Sequence, residues 1–194
     1  NLTPEEIHRI TNGGISIFPI YEKGGYELKY FNGSQGYNDG FLAVAAAREL
    51  GFLSGATIYF AVAVDVLDGD IEGTIAPYII GLINSMADTE YSPGIYGTRN
   101  VCLHGEELDM KYSFVADMSY GWSGNLGFKM PQNWTFDQFV EYPIGGTPID
   151  QGASSGKDPG HHTFKTRPIE TISPENAIKS ITSDNDFING KISF

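Results

Sequence analysis

The sequence predicts an α/β fold: a barrel of parallel strands and helices that becomes irregular in its second half. Three observations predict it. In the first half, helix and strand patterns alternate, the order that produces a parallel sheet with right-handed crossovers. Residues 57–64 form an almost unbroken apolar run, as expected of a parallel strand covered on both faces. In the second half, strand patterns follow one another with little helix between them.

The opening residues read as a helix. Thr3 is a good N-cap, Pro4 takes the first helical position, and Glu6 completes a capping box. Gly13 and Gly14 stop the helix. Residues 15–20 then form a short apolar run, read as a buried strand. Residues 38–50 are an alanine-rich helix closed by Gly51, and residues 57–64 are the clearest strand. Residues 71–86 read as a helix interrupted by Pro77. Residues 94–96 are a short strand, and 99–103 start a short helix. Three further strands are expected at 113–117, 135–139 and 147–150, with a Gly-rich loop at 119–132. From Pro159 the chain turns polar. It carries a capped-helix signal at Ser173-Pro174-Glu175 and an Asn189-Gly190 hairpin pattern. A barrel domain is therefore placed at residues 1–158 and a C-terminal extension, with a short helix and a hairpin, at 159–194.

Apolar residues make up 41% and charged residues 19%, which fits one globular domain. No apolar run approaches the length of a membrane span. Twelve basic residues against twenty-four acidic ones leave a net charge of −12. Such a chain repels nucleic acid and anionic membranes and suits a neutral or cationic ligand better. The lone Cys102 excludes an internal disulfide and reads as a buried thiol. No cofactor or metal is expected. His161-His162 lacks a third ligand and reads as a solvated loop. The acidic run Asp65, Asp68, Asp70 lacks the spacing of a calcium loop.

Several acidic residues fall at the ends of predicted strands: Asp65, Asp117 and Asp150, with Asp137 inside one. In a β/α barrel the C-terminal strand ends share one mouth, so these carboxylates are expected to converge there. Converging carboxylates suit glycosidic bond cleavage. One protonates the leaving oxygen; another stabilises the cationic transition state, attacks it or activates water. Taken singly, each aspartate also reads as a cap for the following helix. Tyr21, Tyr59, Tyr96, Tyr120, Trp122 and Trp134 are candidates for stacking on sugar rings. Tyr59 and Trp134 read just as well as core residues.

The segment Ile58-Tyr59-Phe60-Ala61-Val62-Ala63-Val64-Asp65 resembles a bacterial glycoside-hydrolase-like domain family, distantly similar to the family 25 lysozymes. Further matching pieces follow in order: Ile17-Phe18-Pro19-Ile20-Tyr21, Tyr96-Gly97-x-Arg99-Asn100, Asp117-Met118-Ser119, Trp122-Ser123-Gly124-Asn125, Phe136-Asp137-Gln138-Phe139 and Ile149-Asp150. The resemblance implies a TIM-like barrel and a glycoside hydrolase of bacterial cell-wall or related polysaccharide, secreted or on the cell surface. It implies Asp65 as the general acid.

The sequence departs from the family pattern twice. Ala63 stands where the family keeps an aspartate. Residues two apart in a strand share a face, so that aspartate would flank Asp65. The replacement reads as engineering or recent decay in otherwise intact surroundings. Second, the two strands that precede the Leu2-Thr3 helix in the family are not in this sequence, which leaves six of eight strands. An upstream segment, a second chain or the tail hairpin is expected to complete the barrel. The competing readings are a glycan-binding module without turnover and a scaffold for protein interaction.

Overall fold

A computed structural model describes residues 2–165. Six strands form one sheet in chain order: β1 Ile20–Tyr21, β2 Thr57–Ala61, β3 Ser92–Gly97, β4 Ser113–Val115, β5 Trp134–Ile144 and β6 Thr147–Ser154. The first five pair in parallel and β6 returns antiparallel to β5. The sheet curls into a half-barrel of mixed α/β type. The described residues do not close a full TIM barrel. Neither β1 nor β6 has a second strand partner among them.

Five helices accompany the sheet: α1 Pro4–Asn12, α2 Gly33–Leu50, α3 Asp68–Ile71, α4 Ile75–Met86 and α5 Arg99–Glu107. The expected capping box is formed at α1. Thr3 Oγ1 accepts from the Glu6 backbone N–H, and the Glu6 carboxylate accepts from the Thr3 N–H. Helix α2 starts five residues before its expected start because the Asn32 side chain caps it through Gln35. The expected helix 71–86 is two helices, and Pro77 lies in the first turn of α4, where its missing N–H costs nothing. Helices α2 and α4 pack backbone to backbone: a Cβ at Gly36 would lie 2.0 Å from the Tyr78 carbonyl oxygen.

Alternation along β2 divides the interior in two. Ile58, Phe60 and the following Val62 face the helices and join Val44, Ile79, Leu82 and Ile95 in the main core. Each fully enclosed aliphatic side chain there contributes about 1.5–3 kcal/mol. Tyr59 faces the concave side, where its ring meets those of Phe18, Phe114 and Phe136. The sequence reading took residues 57–64 as one strand, whereas β2 ends at Ala61; the ladder runs one step further, through a bond from Val62 N–H to the Tyr96 carbonyl.

Two buried carboxylates tie elements together. Asp39, inside α2 and fully enclosed, accepts from Tyr30 Oη at 2.7 Å, Tyr78 Oη at 2.9 Å, Gln35 Nε2 at 2.8 Å and Tyr21 Oη at 3.4 Å. Asp158 accepts from Tyr59 Oη at 2.7 Å.

The chain beyond β6 packs back onto the sheet. His161 and Ile17 exchange backbone hydrogen bonds of 2.6 and 2.8 Å, and Phe164 stands edge-on to Phe52. His161 is thus a half-buried bridge residue and not the solvated loop that its sequence suggests, because its backbone covers the edge ahead of β1. The helix at Ser173 and the hairpin at Asn189-Gly190 lie outside the described residues.

Candidate functional site at the strand ends

The C-terminal ends of the parallel strands open on the concave face, and strand register lines up what they carry. Tyr21 pairs with Phe60, so Glu22 follows beside Ala61, and Ala61 pairs with Tyr96. Phe114 and Phe136 continue the same row on β4 and β5. One step higher stand Ala63 and Gln138, which the same alternation turns to the concave side. Ala61 therefore lies between Glu22 and Tyr96 in that row, with Ala63 one step above.

A relay crosses this face. Tyr96 Oη donates to Gln138 Oε1 at 2.7 Å, and Gln138 Nε2 donates to Asp150 Oδ2 at 2.5 Å. Gln138 is only 8% exposed, and its backbone carbonyl accepts from Met118 N–H at 2.6 Å. Burial, with the charges of Glu22 and Asp150, pushes the Tyr96 phenol up to about 12. The phenol therefore keeps its proton at neutral pH and can only donate to the amide, which fixes the relay's direction toward Asp150. The sequence reading ended the last strand at Asp150, but Asp150 lies within β6, opposite Glu141. A bulge between Gln138 and Val140 extends the hairpin and turns Asp150 toward Gln138.

Asp65 sits four residues beyond β2, exposed, and held by the loop that follows β4. It accepts from Ser123 N–H (2.9 Å), Ser123 Oγ (2.8 Å) and Gly124 N–H (3.2 Å). Partial desolvation raises its carboxyl, but these donors outweigh it and hold the pKa below the ordinary value. This is the setting of an ionised carboxylate and not of a proton donor at neutral pH. Gly124 makes the turn possible, because a Cβ there would lie 2.3 Å from Asn100 Oδ1 and 2.4 Å from Thr98 Oγ1.

Asp117 and Asp137 come together with Arg99, but on the helix side of the sheet. Arg99 grips Asp117 through Nε and Nη2 and donates from Nη1 to the Phe128 carbonyl. Asp137 pairs in register with Val115, which belongs to the helix-side core. Its Oδ1 is buried without a hydrogen-bond partner. Burial, then the charge of Asp117, raise the Asp137 carboxyl to about 6 against the opposing pull of Arg99. Thr135 is the extra residue of a second bulge, between Ser113 and Phe114 in register. That bulge keeps Thr135 and Phe136 on the concave side and sends Asp137 to the other.

The aromatic candidates divide as well. Tyr96 stands at the mouth. Tyr59 is fully enclosed and bonded to Thr135 and Asp158, so it offers no ring face to a ligand. Tyr21 turns its hydroxyl to Asp39 and packs on Phe60, and Trp134 packs against the helix-side core. Tyr120 is 83% exposed and Trp122 partly buried, both on the loop that carries Ser123. Cys102 is fully buried, with its thiol pushed up to about 12. Among the described residues, no three His, Cys, Asp or Glu side chains are grouped to hold a metal ion. The sequence reading assigned nothing to Glu22 or Gln138. Glu22 directly follows the first strand, so the strand-end rule applied to the other acids would have found it. Gln138 needed the bulge to be known.

The rim is open, as a half-barrel must be. A groove of about 1000 Å³ lies elsewhere, between α1 and residues 162–165, lined by Ile7, His8, Leu50 and Phe164 among others.

Residues 1–188 match the Rv2525c-like, glycoside hydrolase-like domain family. The chain is 45% identical over 167 residues to the uncharacterized protein YbfG of Bacillus subtilis, covering 80% of this chain and 23% of that protein. It is 38% identical over 177 residues to the uncharacterized protein FadG of the same organism, covering 87% and 31%. It thus spans less than a third of the length of either relative. Among solved structures it resembles the Mycobacterium tuberculosis Tat-secreted protein Rv2525c in complex with HEPES (TM-score 0.64, 16% identity, 83% of this chain and 78% of that one). An uncharacterized Bacillus stearothermophilus protein superposes with a TM-score of 0.59 at 19% identity, over 81% and 78% of the two chains. At these identities the structures establish the fold.

Proposed function

The chain belongs to the Rv2525c-like, glycoside hydrolase-like domain family, and on that premise we propose that it is a glycoside hydrolase domain acting on bacterial cell-wall or related polysaccharide. Its reaction centre is the concave rim, and the chain lacks one carboxylate there because position 63 is alanine. The observation that carries this reading is the Tyr96–Gln138–Asp150 relay, which holds a carboxylate in one orientation on the concave rim.

Glycosidic cleavage needs a protonated acid at the leaving oxygen and an ionised carboxylate that attacks, stabilises positive charge or activates water. Asp150, fixed as an acceptor, suits the second role. Asp65, held by three donors, suits stabilisation of positive charge and not proton donation. An aspartate restored at 63 would stand two residues from the Asp65 carboxylate. Like charges raise at least one pKa, so it would supply the acid. Asp117 and Asp137 shape the site indirectly, by anchoring through Arg99 the loop that presents Ser123 to Asp65. Tyr96, Tyr120 and Trp122 are the aromatic surfaces left for sugar stacking.

Ala63 itself favours a second reading, a module that binds glycan without turnover. The two separate in one experiment. Ala63→Asp and the unaltered chain are assayed for reducing-sugar release on peptidoglycan and a panel of other glycans. Release by Ala63→Asp well above the unaltered chain supports the hydrolase. Glycan binding with no gain in release supports the binding module, and neither binding nor release contradicts both. Secretion or display at the cell surface is part of the proposal, supported by the Tat-secreted neighbour. So is an upstream segment or a second chain that pairs with the free edges of β1 and β6.

A further inference from the structure

The loop that leaves β1 carries one step more, and it rests on the reading that this mouth binds glycan. Residues 22–27 run from the C-terminal end of β1 to Leu28, where a short helical turn leads into α2. A strand-to-helix loop at that end of a parallel strand belongs to the rim. Gly25 is buried in an otherwise exposed stretch. A Cβ there would lie 2.9 Å from the Ala61 carbonyl oxygen and 3.1 Å from the Phe31 ring. The loop is therefore seated on the end of β2, whose Ala61 pairs with Tyr96. Tyr26, the next residue, is 63% exposed.

Both flanks of this loop end on one carboxylate. Tyr21, ahead of it, donates to Asp39 Oδ1 at 3.4 Å, and Tyr30, behind it, donates to Oδ2 at 2.7 Å. A fully enclosed carboxylate is costly unless donors satisfy it. The other two donors are Gln35 on the same helix and Tyr78 on α4. Helices α2 and α4 are already joined by the close approach of Gly36 to Tyr78 and of Gly81 to Gly33. What Asp39 adds to that packing is its hold on the loop.

We propose that Tyr26 is a glycan-stacking residue of this rim and that Asp39 is its positioning residue, fixing the loop over β2 through Tyr21 and Tyr30. The sequence reading assigned a role to neither Tyr26 nor Asp39. An exposed phenol ring offers an apolar face to the C–H face of a sugar ring and a polar edge to its hydroxyls. A ring carried on a loop that is fixed beforehand loses less freedom when a sugar stacks on it, so the hold contributes affinity. The glycan then lies across the ends of β1, β2 and β3, between Tyr26 and Tyr96.

Tyr30→Phe and Tyr78→Phe separate positioning from plain stability. Each removes one hydroxyl from Asp39 Oδ2, and only the first adjoins the loop. Amide hydrogen exchange in residues 22–27 and thermal melting are followed in the full chain and in both variants. Binding of an N-acetylglucosamine tetramer is measured by isothermal titration in these and in Tyr26→Ala. Tyr30→Phe should speed exchange in the loop by about fivefold and weaken tetramer binding by about threefold. Tyr78→Phe should lower the melting temperature at least as much and change neither. Tyr26→Ala should weaken binding by about threefold to tenfold with its melting temperature unchanged. Exchange that rises equally in both phenylalanine variants, or in neither, would overturn the role of Asp39. Equal binding by the unaltered chain and Tyr26→Ala would overturn the role of Tyr26, and the rim would stand as a glycan site if Gln138→Leu still weakened that binding. A tetramer that the unaltered chain does not bind would overturn the role of Tyr26 and count against the rim as well.

Discussion

Gln138 donates its amide N–H to Asp150 at 2.5 Å while its carbonyl takes the hydroxyl of Tyr96. A neutral amide at this point can bond both neighbours only if the phenol is protonated and the carboxylate is free to accept. The one buried glutamine of the rim therefore sets the chemical state of the groups on either side of it.

Gln138→Leu should release both. The Tyr96 hydroxyl would lose its acceptor in a largely buried setting, at a cost of about 1–3 kcal/mol. Urea denaturation should show that loss. Glycan affinity should fall with it, because Asp150 would no longer be held. Gln138→Glu should not rescue either, since a carboxylate cannot donate to Asp150. Unchanged stability and affinity in the leucine variant would mean that the relay has no role.

Asp39 and its phenols predict an alkaline limit. Tyr21 and Tyr96 are raised to about 12 and Tyr30, Tyr59 and Tyr78 are raised as well, burial being the first cause in each. The folded state thus holds these protons where the unfolded chain releases them. Stability is intact below an unfolded phenol pKa of about 10 and falls as pH rises through 12. Melting temperature followed from pH 8 to 12 should drop steeply above about 10. Asp39→Leu should cost about 3 kcal/mol or more at neutral pH, since it leaves several buried hydroxyls without an acceptor.

Asp137 predicts the opposite slope from an ordinary carboxylate. Its folded pKa, about 6, lies above the unfolded value. Its contribution to stability is therefore fully present below about pH 4 and is lost as pH rises to 6. Asp137→Asn should flatten the stability profile between those limits. Near pH 7 it should stabilise by no more than about 1 kcal/mol after solvent screening. A variant that is less stable at pH 7 with an unchanged slope would show that Asp137 is ionised and satisfied.

Gly124→Ala should displace the turn that binds Asp65. Its methyl group would overlap Asn100 Oδ1 and Thr98 Oγ1, and overpacking of this kind costs about 1–3 kcal/mol. With its donors moved, the Asp65 carboxyl should titrate closer to its ordinary value, measurable by carbon-detected NMR. The stability that Asp65 contributes above its unfolded pKa, lost as pH falls, should shrink accordingly.

Elements governed by local rules were legible in the sequence. The capping box of α1, the start of β2 at Thr57 and the Gly51 stop of α2 each depend on near neighbours, and each is where the sequence puts it. What the sequence concealed depends on pairing between distant segments. Two bulges, at Thr135 and at Phe139, decide which face Asp137, Gln138 and Asp150 take, and a bulge leaves no periodicity to read. Counted without them, Asp137 falls on the mouth side and Gln138 has no role. Residues 140–146 read as a gap between two short strands, although residues 140–149 belong to one exposed hairpin. Its residues bury nothing, so the hydrophobic alternation that marks a strand is weak there. Asp39 is polar inside a helix pattern, and only the fold brings Tyr21, Tyr30 and Tyr78 to it.

The most direct test is an amide-resolved NMR titration of the unaltered chain with a soluble cell-wall glycan fragment. Binding at the concave rim predicts the largest shift changes at Ala63, Tyr96 and Gln138, with Glu22 and Asp150 beside them. Changes confined to the groove between α1 and residues 162–165, or to the Arg99–Asp117 side, with the rim unmoved, would contradict it.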